Sequence, residues 1–346
     1  MRSWMAAFLV LLCTLDAAVA QDDYPFIAEG FPPHIEARMA RQDASLQLSS
    51  LTLGDEYFIE PVKVWPVGVL NVCFFGGSQA LRASIAAATA QWEALGASLS
   101  LDFGDPANPR LCGPGSFSHI RVGFAYSGYW STVGTDSITL VPQNEQSMNF
   151  SLFNINPPAE PKFTQIVLHE FGHALGFKHE HQAYTAPCPA EFDWDRIYAY
   201  LQGPPNYWTI EQIDHNLRPL TTGDASAFDA LSIMLYAFPA DFYKTGSKAE
   251  CYTDGNFVLS ETDKEGLLKY YPQSATEASA VRTATYADFA LQVNSLPIST
   301  GARDLAKLQA STLLLPQVTA PQFDLQTLQN LQQPMVLDRF GSGLAF

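Results

Sequence analysis

Positive charge is scarce in this chain: 19 Lys and Arg stand against 35 Asp and Glu, a formal net charge of −16 at pH 7. Nucleic acid and anionic membrane surfaces both select clustered Lys or Arg, so neither fits as a partner. Long apolar runs are also lacking past residue 20, where no stretch reaches the about 18 residues that cross a bilayer. That argues against membrane insertion. No C-x-x-C spacing occurs, so a zinc–thiolate site has no framework. What the chain does have is a 47% hydrophobic composition over 346 residues, enough for a real core in one large domain or two moderate ones.

The opening MRSWMAAFLVLLCTLDAAVA reads as a secretory signal over residues 1–20. Arg2 supplies the positive start, Ala6 to Leu15 the apolar run and Ala18-Val19-Ala20 the small-residue cleavage site. A secreted, extracellular protein is therefore expected. With Cys13 lost in the signal, Cys73, Cys112, Cys188 and Cys251 remain, an even number in a chain bound for an oxidising compartment. Four cysteines allow three connectivities. Pairing Cys73 with Cys112 and Cys188 with Cys251 is favoured, because each pair then lies on one side of the histidine-rich segment at 169–181.

Residues 21–60 lack a strong period and read as a presegment or N-terminal arm, in which PPHIEARMARQDASLQL has the pattern of a short amphipathic helix. From residue 61 the character changes. VKVWPVGVLNVCFFGG predicts a strand running into a Gly-Gly turn. SQALRASIAAATAQWEAL then predicts a helix with Leu81, Ile85, Ala88 and Trp92 inward and Ser78 as N-cap. SLSLDF, SHIRVGFAY, DSITLVP and QSMNFSLFNI read as further strands. PKFTQIVLHEFGHALGF follows as a helix that stops at Gly176. Beyond it the chain is irregular until SETDKEGLLKYY, a helix capped by Ser260 and closed by Pro272. These elements give an α+β fold over 61–272. Residues 273–346 carry no chemical motif and form a C-terminal appendage or tail.

HEFGHALGFKHEH, residues 169–181, holds the chemistry. On a helix, residues four apart share a face, so His169 and His173 can aim two imidazole nitrogens at one ion with Glu170 beside them. Gly176 lets the backbone leave the helix and bring His179 round as a third ligand. Three protein ligands leave a position for water, the arrangement of a catalytic rather than a closed structural zinc. One Zn2+ there lowers the water pKa towards about 7, and Glu170 can take its proton and pass it to a leaving amine. That is peptide hydrolysis, with proteins or peptides as substrates. A non-catalytic binding protein on the same metal scaffold is the rival reading, and the intact Glu170 speaks against it.

HEFGHALGFKHEH resembles the extended zinc signature of the metzincin metallopeptidases, and Glu180 after the third histidine points to the astacin-like branch. S-I-M-L-Y, Ser232 to Tyr236, is similar to that branch's Met-turn. VWPVGV, AQWEAL and LSETDKEGLLKYYP resemble its opening, first helix and closing helix, so the likeness covers about residues 62–272. GPPNYW and HEHQ are similar to the bacterial and fungal members. The resemblance implies a two-lobed catalytic domain with a mixed twisted sheet above an irregular lower lobe. It makes Met234 the floor of the metal site and Tyr236 a displaceable ligand that stabilises the developing oxyanion.

In relatives the glutamate after the third histidine pairs with the freed mature N-terminus, which implies that role for Glu180. Relatives also block zinc with a presegment aspartate after glycine, which makes Asp55 the candidate, although Thr52 stands where an aromatic residue is expected. An ordinary Gly-Asp turn is the other reading. Leu235 departs from the histidine that many members carry. Asn149-Phe150-Ser151 is an N-x-S acceptor in QSMNFSL, the segment that the resemblance makes the cleft-edge strand, where a glycan would compete with substrate. His34, His119 and His215 are isolated and read as surface or packed residues, as do Trp65, Trp92, Tyr207 and Trp208 as packing.

Overall fold

The computed structural model describes residues 29–46, 59, 61–66, 68–220, 224–295 and 300–315. The expected signal, Gly54 and Asp55 lie outside the described residues. Among the described residues seven strands form two sheets: β1 (Val69–Phe74), β2 (Ser100–Asp102), β3 (Gly104–Asp105), β4 (Asn108–Pro109), β5 (Ile120–Gly123), β6 (Tyr129–Ser131) and β7 (Met148–Phe150). The main sheet runs β2-β1-β5-β7-β6, parallel throughout except for β6, which pairs antiparallel to β7 with Trp130 opposite Asn149. A central strand buried on both faces should be continuously apolar. Leu70, Val72, Cys73 and Phe74 of β1 and Ile120 and Val122 of β5 are buried as that requires, whereas Asn71 of β1 and the buried Arg121 of β5 interrupt the apolar run.

Behind the sheet lies the predicted helix, Gln79–Ala88 with a further turn at Ala90–Glu93. Ser78 caps it as expected, its hydroxyl accepting from the Leu81 N–H at 3.1 Å. Trp92, from that turn, and Trp65, from the segment before β1, reach the helix Lys162–Ala174, donating their indole N–H groups to the carbonyls of Leu168 at 3.1 Å and Ala174 at 2.7 Å. Two buried tryptophans thus fix the depth and rotation of the helix that carries His169 and His173. Gly176, at φ +110°, ends it as predicted, in a region of backbone space that an L side chain rarely adopts.

The lower half is less irregular than its composition suggests. Helices Trp194–Leu201 and Ile210–Leu217 bury Ile197, Leu201, Ile213 and Leu217 in a separate apolar cluster with Phe192, Leu235, Phe238 and Phe242. The Cys188–Cys251 disulfide lies in that cluster, and Cys73–Cys112 ties β1 to the loop before β5. Both bridges have the expected pairing. The closing helix, Glu261–Tyr270, begins with a capping box between Ser260 and Asp263. After it, helices Ala275–Ser295 and Thr300–Leu314 form a hairpin, and Phe289, Val293, Ala306, Ala310 and Leu314 join the main core. The described residues of 273–346 therefore pack on the main core.

Three expectations need correction. DSITLVP is a helical turn, Asp136–Thr139, and not a strand. Its buried Asp136 pairs with Lys63 at 2.6 Å, a polar anchor that β-branched patterning does not foretell. The cleft-edge strand is β6 and not QSMNFSL, whose β7 lies between β5 and β6. Asn149 is accordingly fully buried, its amide donating to the carbonyls of Tyr126 at 2.9 Å and Gly128. That environment leaves no room for a glycan.

Candidate metal centre

His169 and His173 sit one turn apart on the inward face of the helix Lys162–Ala174, and the backbone turn at Gly176 returns His179 to the same point. Each imidazole is oriented by a bond on its other nitrogen. His169 Nδ1 lies 2.8 Å from the Ile233 carbonyl, His173 Nδ1 2.8 Å from the Phe177 carbonyl and His179 Nδ1 3.4 Å from Gln182 Oε1. Such bonds fix Nδ1 as the protonated nitrogen and free Nε2 for an ion. Gln182 is held in turn, donating to the His215 carbonyl at 2.9 Å. His173 Nε2 and His179 Nε2 approach to 3.2 Å, and His169 Nε2 is buried with no hydrogen-bond partner. Three convergent imidazole nitrogens, one of them orphaned, form a donor set that fits Zn2+.

The fourth member of the cluster is a residue the sequence did not single out. Glu29, from the N-terminal arm, brings its carboxylate to 2.5 Å from His179 Nε2, 3.5 Å from His169 Nε2 and 3.7 Å from His173 Nε2. The ligating atoms of these four residues all lie within 4.8 Å of one another. Burial works to raise the Glu29 pKa, but the charge of His179 and the three imidazoles gathered around the carboxylate hold it well below the usual carboxylate range. Glu29 therefore occupies the place that the resemblance had suggested for Asp55. Its signal in the sequence is no more than a Glu-Gly pair in an aperiodic stretch.

Glu170 faces Glu29 across the site. Burial first, and then the Glu29 charge, push its carboxyl well above the ordinary range. Tyr236 stacks beside Phe238 and meets the rings of His179 and His169 at centroid distances of 5.5 and 6.1 Å. Its phenol is raised by burial and by the Glu29 and Glu170 charges, against a hydrogen bond from the Glu29 backbone. The catalytic candidates and the three ligand candidates thus surround one point, and the arm's carboxylate occupies it.

Below the ligands, Met234 is buried and packs under the helix at Gly172, where any Cβ would collide with its sulfur. Gly172 is a second residue missed by sequence reasoning, although a glycine inside a metal-binding helix was a readable signal. The turn is fixed by Asp263 of the closing helix, which accepts from Ser232 Oγ at 2.7 Å and the Ile233 N–H at 2.8 Å. The Met234 carbonyl accepts the Glu180 N–H at 3.0 Å. Glu180 is buried and accepts the Asp229 N–H at 2.9 Å, and burial pushes its pKa up to about 8. Leu235 falls in the lower-lobe apolar cluster.

A zinc helix, a Met-turn beneath it and an upper lobe with an antiparallel edge strand define a metzincin-type metallopeptidase. A solved structure of myroilysin is 32% identical to this chain, covering 62% of it and 98% of that chain, with a TM-score of 0.53. The chain belongs to the astacin-like metzincin zinc metallopeptidases. It is a metalloendopeptidase with one catalytic zinc. A second myroilysin crystal structure matches at 29% identity, over 71% of this chain and all of that one, with a TM-score of 0.45. High choriolytic enzyme 1, a hatching enzyme zinc-protease from the medaka fish Oryzias latipes, matches at 16% identity over 60% of this chain and 92% of its own, with a TM-score of 0.38. No protein-family profile and no curated protein matches the chain.

Proposed function

We propose that this chain is a secreted endopeptidase whose zinc is held by His169, His173 and His179 and whose general base is Glu170, and that the arm at 21–60 keeps it latent. The observation that carries the reading is the convergence of Glu29 with the three imidazoles. Bound at those imidazoles, Zn2+ supplies an acidified water and polarises the scissile carbonyl. Glu170 is placed to take the proton of the attacking water and to deliver it to the leaving amine. The Tyr236 O–H donates to the oxyanion that develops on the carbonyl, an interaction made only on the way to the transition state. The antiparallel edge strand β6 offers backbone groups to an extended peptide, which gives binding with little dependence on side chains.

Glu29 cannot coexist with this chemistry, because its carboxylate fills the position a water and a substrate carbonyl need. Its exit frees Tyr236 from the arm's backbone and removes the charge that, after burial, raises the Glu170 carboxyl. Cleavage near residue 60 then releases a mature N-terminus for Glu180, whose burial without a cationic partner among the described residues suits that role. Secretion rests on residues 1–20 and agrees with two disulfides. Among the described residues no helix is long and apolar enough to cross a membrane. The test is casein hydrolysis by the zinc-loaded protein before and after limited proteolysis of the arm, with and without a chelator. The reading requires activity that appears on trimming and disappears on chelation. A trimmed, zinc-loaded protein inert towards casein and gelatin contradicts it.

A further inference from the structure

The arm covers more of the cleft than its metal centre. Its helix, Pro33–Leu46, touches both lobes, through Glu36 and Arg38. On the lower lobe Gly30 lies so close to the Trp208 ring that a Cβ would clash, and Glu36 accepts from Gln212 Nε2 at 3.0 Å. On the upper lobe three side chains of the arm, Phe31, His34 and Arg38, meet one compact surface. Phe31 packs on Trp130 of β6 at 5.5 Å between ring centroids, and Tyr126 flanks that indole at 6.0 Å. Arg38 grips Glu145 with its two terminal guanidinium nitrogens, at 2.7 and 3.0 Å, while His34 Nε2 lies 3.4 Å from the same carboxylate. The arm therefore fills an aromatic slot and neutralises one acidic group beside it.

That acidic group is held rigidly. Arg121, buried behind it, donates Nε–H to the Glu145 carbonyl at 2.8 Å and spends its other nitrogens on the carbonyls of Ser118, Ser137 and Val141. With its donors committed to backbone, Arg121 fixes the loop and does not replace Arg38 as a partner for the carboxylate. Departure of the arm leaves Glu145 charged on the same side as the aromatic pair, for His34 alone spans from this carboxylate, at 3.4 Å, to the Tyr126 ring, at 5.6 Å between centroids. The trimmed chain stays acidic, since residues 1–60 hold 3 of the 19 Lys and Arg and 9 of the 35 Asp and Glu, and the remaining net charge of −10 adds a long-range attraction for cationic chains.

We propose that Tyr126, Trp130 and Glu145 form a specificity subsite, and that the enzyme selects peptides carrying a large aromatic residue for the slot and a lysine or arginine for Glu145. The inference rests on the peptidase reading and names its substrate class. An aromatic side chain buried against an indole contributes area and ring complementarity. A charge at the rim contributes orientation and encounter rate more than raw affinity.

The full chain, zinc-loaded and freed of its arm by limited proteolysis, is given matched peptides that share a phenylalanine and differ only in lysine or glutamine at the neighbouring positions. The lysine peptide is expected to be cleaved with a kcat/KM about fivefold higher, the range of a partly exposed ion pair. Glu145→Gln should reduce that ratio to about one, and Glu145→Lys should favour a matched glutamate peptide, by the same pairing argument. Equilibrium binding of the same peptides to Glu170→Ala gives the ratio without turnover, so it decides the subsite even if hydrolysis is absent. Equal handling of lysine and glutamine peptides by the parent enzyme, or a preference that survives Glu145→Gln, overturns the proposal. Absence of all hydrolysis with the binding ratio intact condemns the peptidase reading instead.

Discussion

The carboxylate of Glu29 meets Nε2 of His179 at 2.5 Å across 150 residues of sequence. Of the four residues that converge on the metal position, only Glu29 comes from outside the segment 169–181. It reaches the metal position because Phe31, Glu36 and Arg38 anchor the arm on both sides of the cleft.

Glu29→Ala is expected to loosen the arm and to raise the activity of the untrimmed, zinc-loaded protein. The gain should be on the order of tenfold, since the arm keeps its other contacts and the variant only shifts a population between covered and open clefts. Casein turnover by protein whose N-terminus has been verified as uncut measures it. Unchanged latency would show that the arm blocks by its bulk and that the carboxylate is incidental.

Gly172 leaves no space for a methyl group above the Met234 sulfur. Gly172→Ala should cost about 1–3 kcal/mol, the range for an overpacked core. The strain falls beneath the metal ligands, so thermal unfolding should shift down and zinc should leave at lower chelator concentration. Calorimetry and a chelator titration read both. A variant with parental stability would mean that the turn below the helix yields freely.

His119 is buried, and its Nδ1 accepts the Asn71 N–H at 2.9 Å, a bond that needs the neutral ring. Burial, then the charge of Arg121, lower its pKa to about 4. A folded pKa below the unfolded one gives stability that is complete above the unfolded value. It is lost as the pH falls, because the unfolded chain takes a proton that the folded chain refuses. Between about pH 6.5 and 4 this single group should remove about 3 kcal/mol. Urea unfolding of the parent and of His119→Asn at pH 7.5 and 4.5 isolates the contribution as the difference in pH dependence. Parallel curves for the two proteins would contradict the assignment.

The metal helix was legible because its information is local. A four-residue spacing puts His169 and His173 on one face whatever surrounds them, and Gly176 marks the only way round to His179. Ser78 and Ser260 announced their helices in the same manner, through caps that act within one turn. Glu29 was not legible, since its position depends on where the arm helix lands on a cleft assembled from distant strands. The edge strand β6 was missed because three residues set among glycine and serine carry too little period to register. DSITLVP misled for the opposite reason: its β-branched residues suggested a strand, while the ion pair of Asp136 with Lys63 fixes a helical turn. Gln182 and Gly172 act through other residues, by orienting His179 and by admitting Met234, and neither role has a spacing of its own.

Glu170 decides the account. The measurement is casein hydrolysis by arm-trimmed Glu170→Ala beside the trimmed parent, with the zinc content of each determined on the same samples. Equal zinc with turnover lowered on the order of 10²- to 10⁴-fold, the usual contribution of a positioned acid–base group, is the predicted result. Equal zinc with turnover within a few-fold of the parent would contradict the role of Glu170 and with it the mechanism proposed here.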